Sequence, residues 1–253
     1  MNMNNIYCVC TTPDIYTSYK NYWENFPIND RKLIWVSDIT KDESFDLGFK
    51  YTEQNIREEF NFNVDVSKKH FWNSHGNRNI VWFFAHLRML YFYVKNPNYD
   101  FYWFFDDDIK MENWNEFFIN TDKDDADFMS YFCFKKYGVT SQENVPTIDD
   151  KTFSKNGWFD RFPGDGDILP ENTEEMFGSF FPTTRFSNKA LLKMLEIHNE
   201  GYYGYHEGFV PTMLNKYGYK LSSIIKPDNT SNYFDVNKVD IQHKHIKITW
   251  EWI

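Results

Sequence analysis

The stretch Tyr99-Asp100-Phe101-Tyr102-Trp103-Phe104-Phe105-Asp106-Asp107-Asp108-Ile109 constrains the fold most, because five consecutive aromatic residues end in three carboxylates. A short run that is apolar at every position and bounded by polar residues describes a buried strand. The aspartates then stand at its C-terminal end, which is where ligands bind in open α/β sheets. Successive strand residues alternate faces, so Asp106 and Asp108 are expected to point the same way, roughly 6–7 Å apart. Carboxylates so placed repel each other unless a divalent cation or a proton lies between them. Hard cations such as Mg²⁺ and Mn²⁺ take oxygen ligands, and Mg²⁺ pairs one or two carboxylates with substrate phosphates. A metal–diphosphate site is the economical reading, and a solvated acidic turn is the plain alternative.

The rest of the chain supports an α/β fold. Residues 6–10 read as a first strand, Thr11-Thr12-Pro13-Asp14 as a turn and helix start, and 16–26 as a helix. Residues 33–36 form a second buried strand that ends at Ser37-Asp38. The clearest helix covers 78–95, where Ile80, Phe83, Phe84, Leu87, Leu90, Tyr91 and Val94 trace an i, i+3, i+4 stripe until Asn96-Pro97-Asn98 stop it. Residues 40–76 show no firm pattern. Strand alternating with helix is the α/β signature. Further on, strands are expected at 127–134, 176–182, 221–225 and 241–250. Helices are expected at 188–198 and at 209–217, the second with Pro211 in its first turn. The span 136–176 has glycines and prolines but little periodicity, and loops of that length are usually functional or mobile. No repeat or linker divides the 253 residues, so a single domain is expected.

Composition narrows the partners. A net charge of −10 and a pI near 5.2 argue against nucleic-acid binding, which relies on neutralising phosphates. A polyanionic small ligand would need a metal ion or a local basic cluster. The many aromatic rings suit a surface that handles carbohydrate. They also follow from a bias towards Asn, Lys, Ile, Phe and Tyr at the expense of Ala. Three cysteines, an odd number, fit a reducing compartment, and Cys8 and Cys10 share one strand face as core residues. Met1-Asn2-Met3-Asn4-Asn5 has no secretory character, and the longest apolar segment carries His86 and Arg88. A cytoplasmic protein with no transmembrane segment is therefore expected, with peripheral membrane contact left open.

Three further constellations carry chemistry. In an extended C-terminal segment His243, His245 and Lys247 share a face, where imidazole can complete a metal's coordination and lysine can hold a phosphate. A solvated edge strand is the alternative. In Tyr203-Gly204-Tyr205-His206-Glu207-Gly208-Phe209-Val210-Pro211-Thr212, His206 and Glu207 stand at the mouth of a helix. Glu207 reads either as a cap or as a general base. Arg78 opens the long helix that leads to the aspartates, and Trp158 lies in the long loop, where it could cover a sugar face. Asp165 and Asp167 are loop acids with a weaker claim, while Trp82 and Trp103 read as core.

With these pieces in order, the chain resembles nucleotide-sugar-dependent glycosyltransferases of the GT-A fold, and more loosely the bacterial enzymes that build surface polysaccharides. The residues that carry the resemblance are Tyr102 to Ile109 as an aspartate-x-aspartate strand, Tyr205-His206-Glu207 before a helix with Val210-Pro211-Thr212, and His243 to Lys247. It implies a Rossmann-type sheet with helices on both faces, a nucleotide-binding half (1–110) and a less regular acceptor half (111–253). It also implies a nucleotide-sugar donor, with UDP favoured, a glycan or glycolipid acceptor, and Mn²⁺ or Mg²⁺. Asp106 would approach ribose and metal, with Asp107 beside it, Asp108 would ligate the metal, and His243 or His245 would be the third protein ligand. Thr11, Thr12 and Asp38 would approach the base and ribose, with Arg78 and Lys247 near the phosphates. Glu207 would deprotonate the acceptor hydroxyl, and Trp158 and His206 would contact the acceptor. Rival readings are a haloacid-dehalogenase-type phosphatase with Asp106 as nucleophile, a non-catalytic carbohydrate-binding protein, and an inactive transferase-like protein. The phosphatase motif continues with a small β-branched residue where this chain has Lys110, and here the long helix precedes the motif.

Overall fold

Alternation along β1 (Asn5–Thr11) divides the interior in two: Ile6, Cys8 and Cys10 enter one apolar core, and Tyr7 and Val9 enter the other. The computed structural model describes residues 4–26, 31–64, 80–109, 114–131, 133–136, 147–148, 151–152 and 167–224. After β1 come α1 (Pro13–Glu24), β2 (Lys32–Asp38), β3 (Phe49–Tyr51), α2 (Glu53–Glu59), α3 (Ile80–Phe83), α4 (Ala85–Lys95) and β4 (Phe101–Asp106). The second half holds α5 (Trp114–Thr121), β5 (Phe128–Ser130), β6 (Cys133–Lys136), β7 (Thr147–Ile148), β8 (Lys151–Thr152), β9 (Met176–Ser179) and β10 (Thr183–Ser187). It closes with α6 (Asn188–Asn199), α7 (His206–Lys216) and β11 (Leu221–Ser223).

The main sheet has seven strands in the order β11-β5-β10-β4-β1-β2-β3, with small pairs β6-β9 and β7-β8 beside it. Only β10 runs against its neighbours. Helices cover both faces, as parallel strands require. Side chains from α2, α3, α4, α6 and α7 fill the core that holds Cys8, Tyr102 and Phe104. The opposite core receives Trp23 of α1 and Trp114, Phe117 and Phe118 of α5 against Trp103 and Phe105. The architecture is thus mixed α/β, compatible with a Rossmann-like arrangement. Among the described residues no helix is long and apolar enough to cross a membrane.

Several elements depart from the sequence expectations. The long helix is two helices, α3 and α4, broken at Phe84 (φ −120°, ψ 53°). The Phe83 carbonyl at that break is bonded instead by His206 Nδ1 of α7 at 3.0 Å. The expected strand 127–134 separates into β5 and β6, which join different sheets. The expected strand 176–182 stops at Ser179, and the chain then turns through Phe181 and Pro182 into β10. Helix α7 starts at His206, so Pro211 sits inside it rather than in its first turn. Proline lacks the N–H that would reach the carbonyl four residues back. Ser179 Oγ donates to that Glu207 carbonyl at 2.8 Å and satisfies it. The strand expected at 241–250 lies outside the described residues.

Arg185 is buried at the centre of β10. Its Nη1 donates to the Thr121 carbonyl at 2.7 Å, and Nη2 donates to those of Asp124 and Ala126 at 2.7 and 3.0 Å. The guanidinium also lies 4.5 Å from the Phe101 ring centre. It clamps the α5–β5 connection beneath the sheet.

Candidate active site

The chain passes from β1 to β2 and β3 on one side, then returns to place β4 on the other side of β1. A crevice opens outside the C-terminal ends of strands at such a reversal. Cys10 stands opposite Asp106 in the β1–β4 register, so Thr11 and the aspartates lie side by side at the C-terminal ends of the two strands. Strand pairing ends at Asp106. Asp107 and Asp108 belong to a turn closed by Ile109 N–H donating to the Asp106 carbonyl at 3.2 Å. The strand alternation expected to align Asp106 with Asp108 therefore stops at Asp106, before it reaches Asp108.

Each aspartate has its own setting. Arg88 Nη2 of α4 donates to Asp106 Oδ1 at 2.7 Å, and the Asp106 N–H donates to the Pro182 carbonyl at 2.8 Å. Asp107 is buried: Thr11 Oγ1 donates to its Oδ2 at 2.5 Å and Trp23 Nε1 to its carbonyl at 2.6 Å. Asp108 is buried too, and after burial its charge is the largest influence holding the Tyr19 hydroxyl above its ordinary pKa.

Burial pushes the Asp107 carboxyl up to about 7, with Asp106 and Asp108 adding to the rise against the Thr11 bond and the Arg88 charge. The native state therefore keeps this proton longer than the unfolded chain does. Stability from that preference is complete below about pH 4 and is lost as pH rises through about 7. Asp107→Asn keeps an acceptor for Thr11 and removes the buried charge. Urea unfolding is expected to find the variant more stable than wild type at pH 8, by about 2 kcal/mol or more, with the gain gone near pH 4. Equal or lower stability of the variant at pH 8 would refute this account of Asp107.

Thr12 precedes α1, whose first residue is Pro13, and its side chain makes no capping bond. Asp38, at the end of β2, accepts from Thr40 N–H at 3.0 Å and Thr40 Oγ1 at 2.5 Å, and so closes a turn. The same crevice edge carries both residues.

The first turn of α7 reaches the aspartates through the Phe181–Pro182 turn. Phe181 N–H donates to Glu207 Oε1 at 3.3 Å, and Tyr205 Oη donates to Oε2 at 2.6 Å. Glu207 is 5% exposed, so its carboxylate is held inside the wall of the site rather than presented as a surface cap. His206 is turned inward. Its Nδ1 must carry the proton that the Phe83 carbonyl accepts, and Phe181 packs on its ring at 4.7 Å. Burial drives its pKa down to about 3, the Phe83 carbonyl opposing and the Arg88 charge adding, so the ring is neutral. It anchors α7 to α3. Arg78, Trp158, Asp165, His243, His245 and Lys247 lie outside the described residues. Asp167 accepts from Tyr205 N–H at 3.2 Å.

Arg88, Trp23 and Tyr205 support the site and were not singled out from sequence as site residues. Arg88 had a signal: it interrupts the apolar stretch 80–94, and a cation within a helix that buries seven of its eleven residues needs a partner.

Among the described residues no three His, Cys, Asp or Glu side chains are arranged to hold a metal ion. The aspartates do offer hard oxygen donors, and one or two carboxylates suffice for Mg²⁺-type ions when phosphates complete the shell. Comparison with protein-family models and with curated proteins finds no match.

Proposed function

We propose that this protein is a metal-dependent GT-A-type glycosyltransferase that moves a sugar from a nucleotide-diphosphate donor, with UDP-sugars favoured, to a glycan or glycolipid acceptor in the cytoplasm. The observation that carries this reading is the aspartate triplet at the β1/β4 switch point, fixed by Thr11, Trp23 and Arg88. The carboxylates of three consecutive aspartates, which side chains from β1, α1 and α4 contact, repel one another, and a cation among them offsets that cost. Asp108, with Asp106 beside it, would hold Mn²⁺ or Mg²⁺, and His243 or His245 would complete the protein's share. When bound, the metal supplies Lewis-acid neutralisation of the leaving diphosphate. Thr12 and Asp38 line the donor side. Glu207, oriented by Tyr205 and Phe181 N–H, would take the acceptor hydroxyl's proton in an inverting transfer. The free thiols of Cys8, Cys10 and Cys133 agree with a reducing compartment.

Thermal unfolding tests the reading. UDP-sugar or GDP-sugar with Mn²⁺, at about 100 times its dissociation constant, is expected to raise Tm by roughly 5 °C or more. The shift should vanish when EDTA replaces the metal. No shift with any donor, or an equal shift in EDTA, counts against it.

A further inference from the structure

Arg88 occupies an unusual place for a cation. It leaves the largely buried helix α4 with its side chain only 17% exposed and ends against Asp106, at 2.7 Å. The other groups around it are Cys10 of β1 and Tyr51 of β3, and its charge also reaches His206 of α7 and Asp107. Among the described residues nothing in that shell but the aspartates is an anion at neutral pH. Its Nε has no hydrogen-bond partner among the described residues, so the guanidinium is held by packing, by Asp106 and by the Tyr51 hydroxyl rather than by a full set of acceptors. An arginine stays charged at every physiological pH.

We infer that Arg88 is a resident counter-ion of the aspartate triplet that makes cation binding conditional on an anionic co-ligand such as a nucleoside diphosphate. The inference rests on the function proposed above. With Arg88 in place the charge of Asp106 is already balanced, and an incoming Mn²⁺ meets a fixed positive charge beside its site. A diphosphate brings the negative charge that offsets this repulsion. Metal and donor then enter together, and the bare protein holds the metal weakly.

Calorimetric titration with MnCl₂ alone, and with MnCl₂ plus UDP, tests this in wild type, Arg88→Met and Arg88→Lys. Wild type is expected to bind Mn²⁺ about tenfold or more tightly when UDP is present. Arg88→Met should bind Mn²⁺ alone about tenfold or more tightly than wild type, with a reduced dependence on UDP, while Arg88→Lys stays close to wild type. A purely structural ion pair would not tighten the metal when it is broken. If Arg88→Met binds Mn²⁺ alone no better than wild type yet still binds Mn²⁺ with UDP, the counter-ion role falls and the transferase reading stands. If wild type binds no Mn²⁺ even with UDP, both fall. Should Arg88→Met fail to fold, Arg88→Gln decides, because its amide can still donate to Asp106 while the fixed positive charge is gone. It should bind Mn²⁺ alone about tenfold or more tightly than wild type. Binding no tighter than wild type overturns the inference.

Discussion

Asp108→Ala is expected to abolish metal-dependent sugar transfer, lowering the rate about 10³-fold or more, and to remove the Tm rise that Mn²⁺ and a UDP-sugar produce. The reason lies in how its neighbours are used. Arg88 balances the charge of Asp106, and Thr11 holds Asp107, whose carboxyl titrates near 7. Asp108 is the carboxylate that the proposed function assigns to the cation. The variant should remain folded, because losing one carboxylate relieves repulsion within the triplet. Its Tm without ligand is expected within about 2 °C of wild type, or slightly above it. Activity and ligand response must fall together while the unliganded melt is unchanged. Turnover that survives Asp108→Ala, or that proceeds in EDTA, would remove the metal from the mechanism and with it the central role of the triplet.

Much of the sheet was legible in the sequence because its parallel strands are buried on both faces. Ile6 to Cys10 and Phe101 to Phe105 are continuous apolar runs, and a chain can bury such runs only between two layers of helix. Strand β10 gave no such signal. Thr183-Thr184-Arg185-Phe186-Ser187 looks polar, yet all five residues are buried. Three carbonyls of the α5–β5 connection meet Arg185, and Asp127 Oδ1 accepts from Ser187 Oγ at 3.0 Å. Only tertiary partners make that sequence a central strand. Short β3 fell below the length at which periodicity can be read, and α2 depends on a capping box at Thr52 and Asn55. The site was legible in the same partial way. The aspartates stood out by composition. Their separate settings depend on Thr11, Trp23 and Arg88, which are 96, 84 and 18 residues away in the chain from the aspartates they contact. No spacing rule joins such partners.

For Glu207 the expected result is selective. Glu207→Gln should leave nucleotide affinity intact while slowing transfer about 10²–10⁴-fold, the range for loss of a positioned general base. The amide has nearly the shape of the carboxylate, so Phe181 N–H can still donate to its oxygen. The other end becomes an NH₂ facing the Tyr205 hydroxyl, which now donates to Oε2 at 2.6 Å. That hydroxyl can rotate to accept instead. The local frame therefore survives, and the bond from the Ser179 hydroxyl is untouched because it ends on the Glu207 backbone carbonyl rather than on its side chain. What the variant loses is the capacity to take a proton. A fall in kcat with unchanged UDP binding would match a base. A fall in both would match a carboxylate that merely fixes the Phe181–Pro182 turn, and through it the Asp106 backbone. Measuring Tyr205→Phe alongside sharpens the contrast. Removing the hydroxyl strips one bond from the carboxylate without removing its charge, so a base should keep most of its rate, whereas a structural strut should lose stability in both variants.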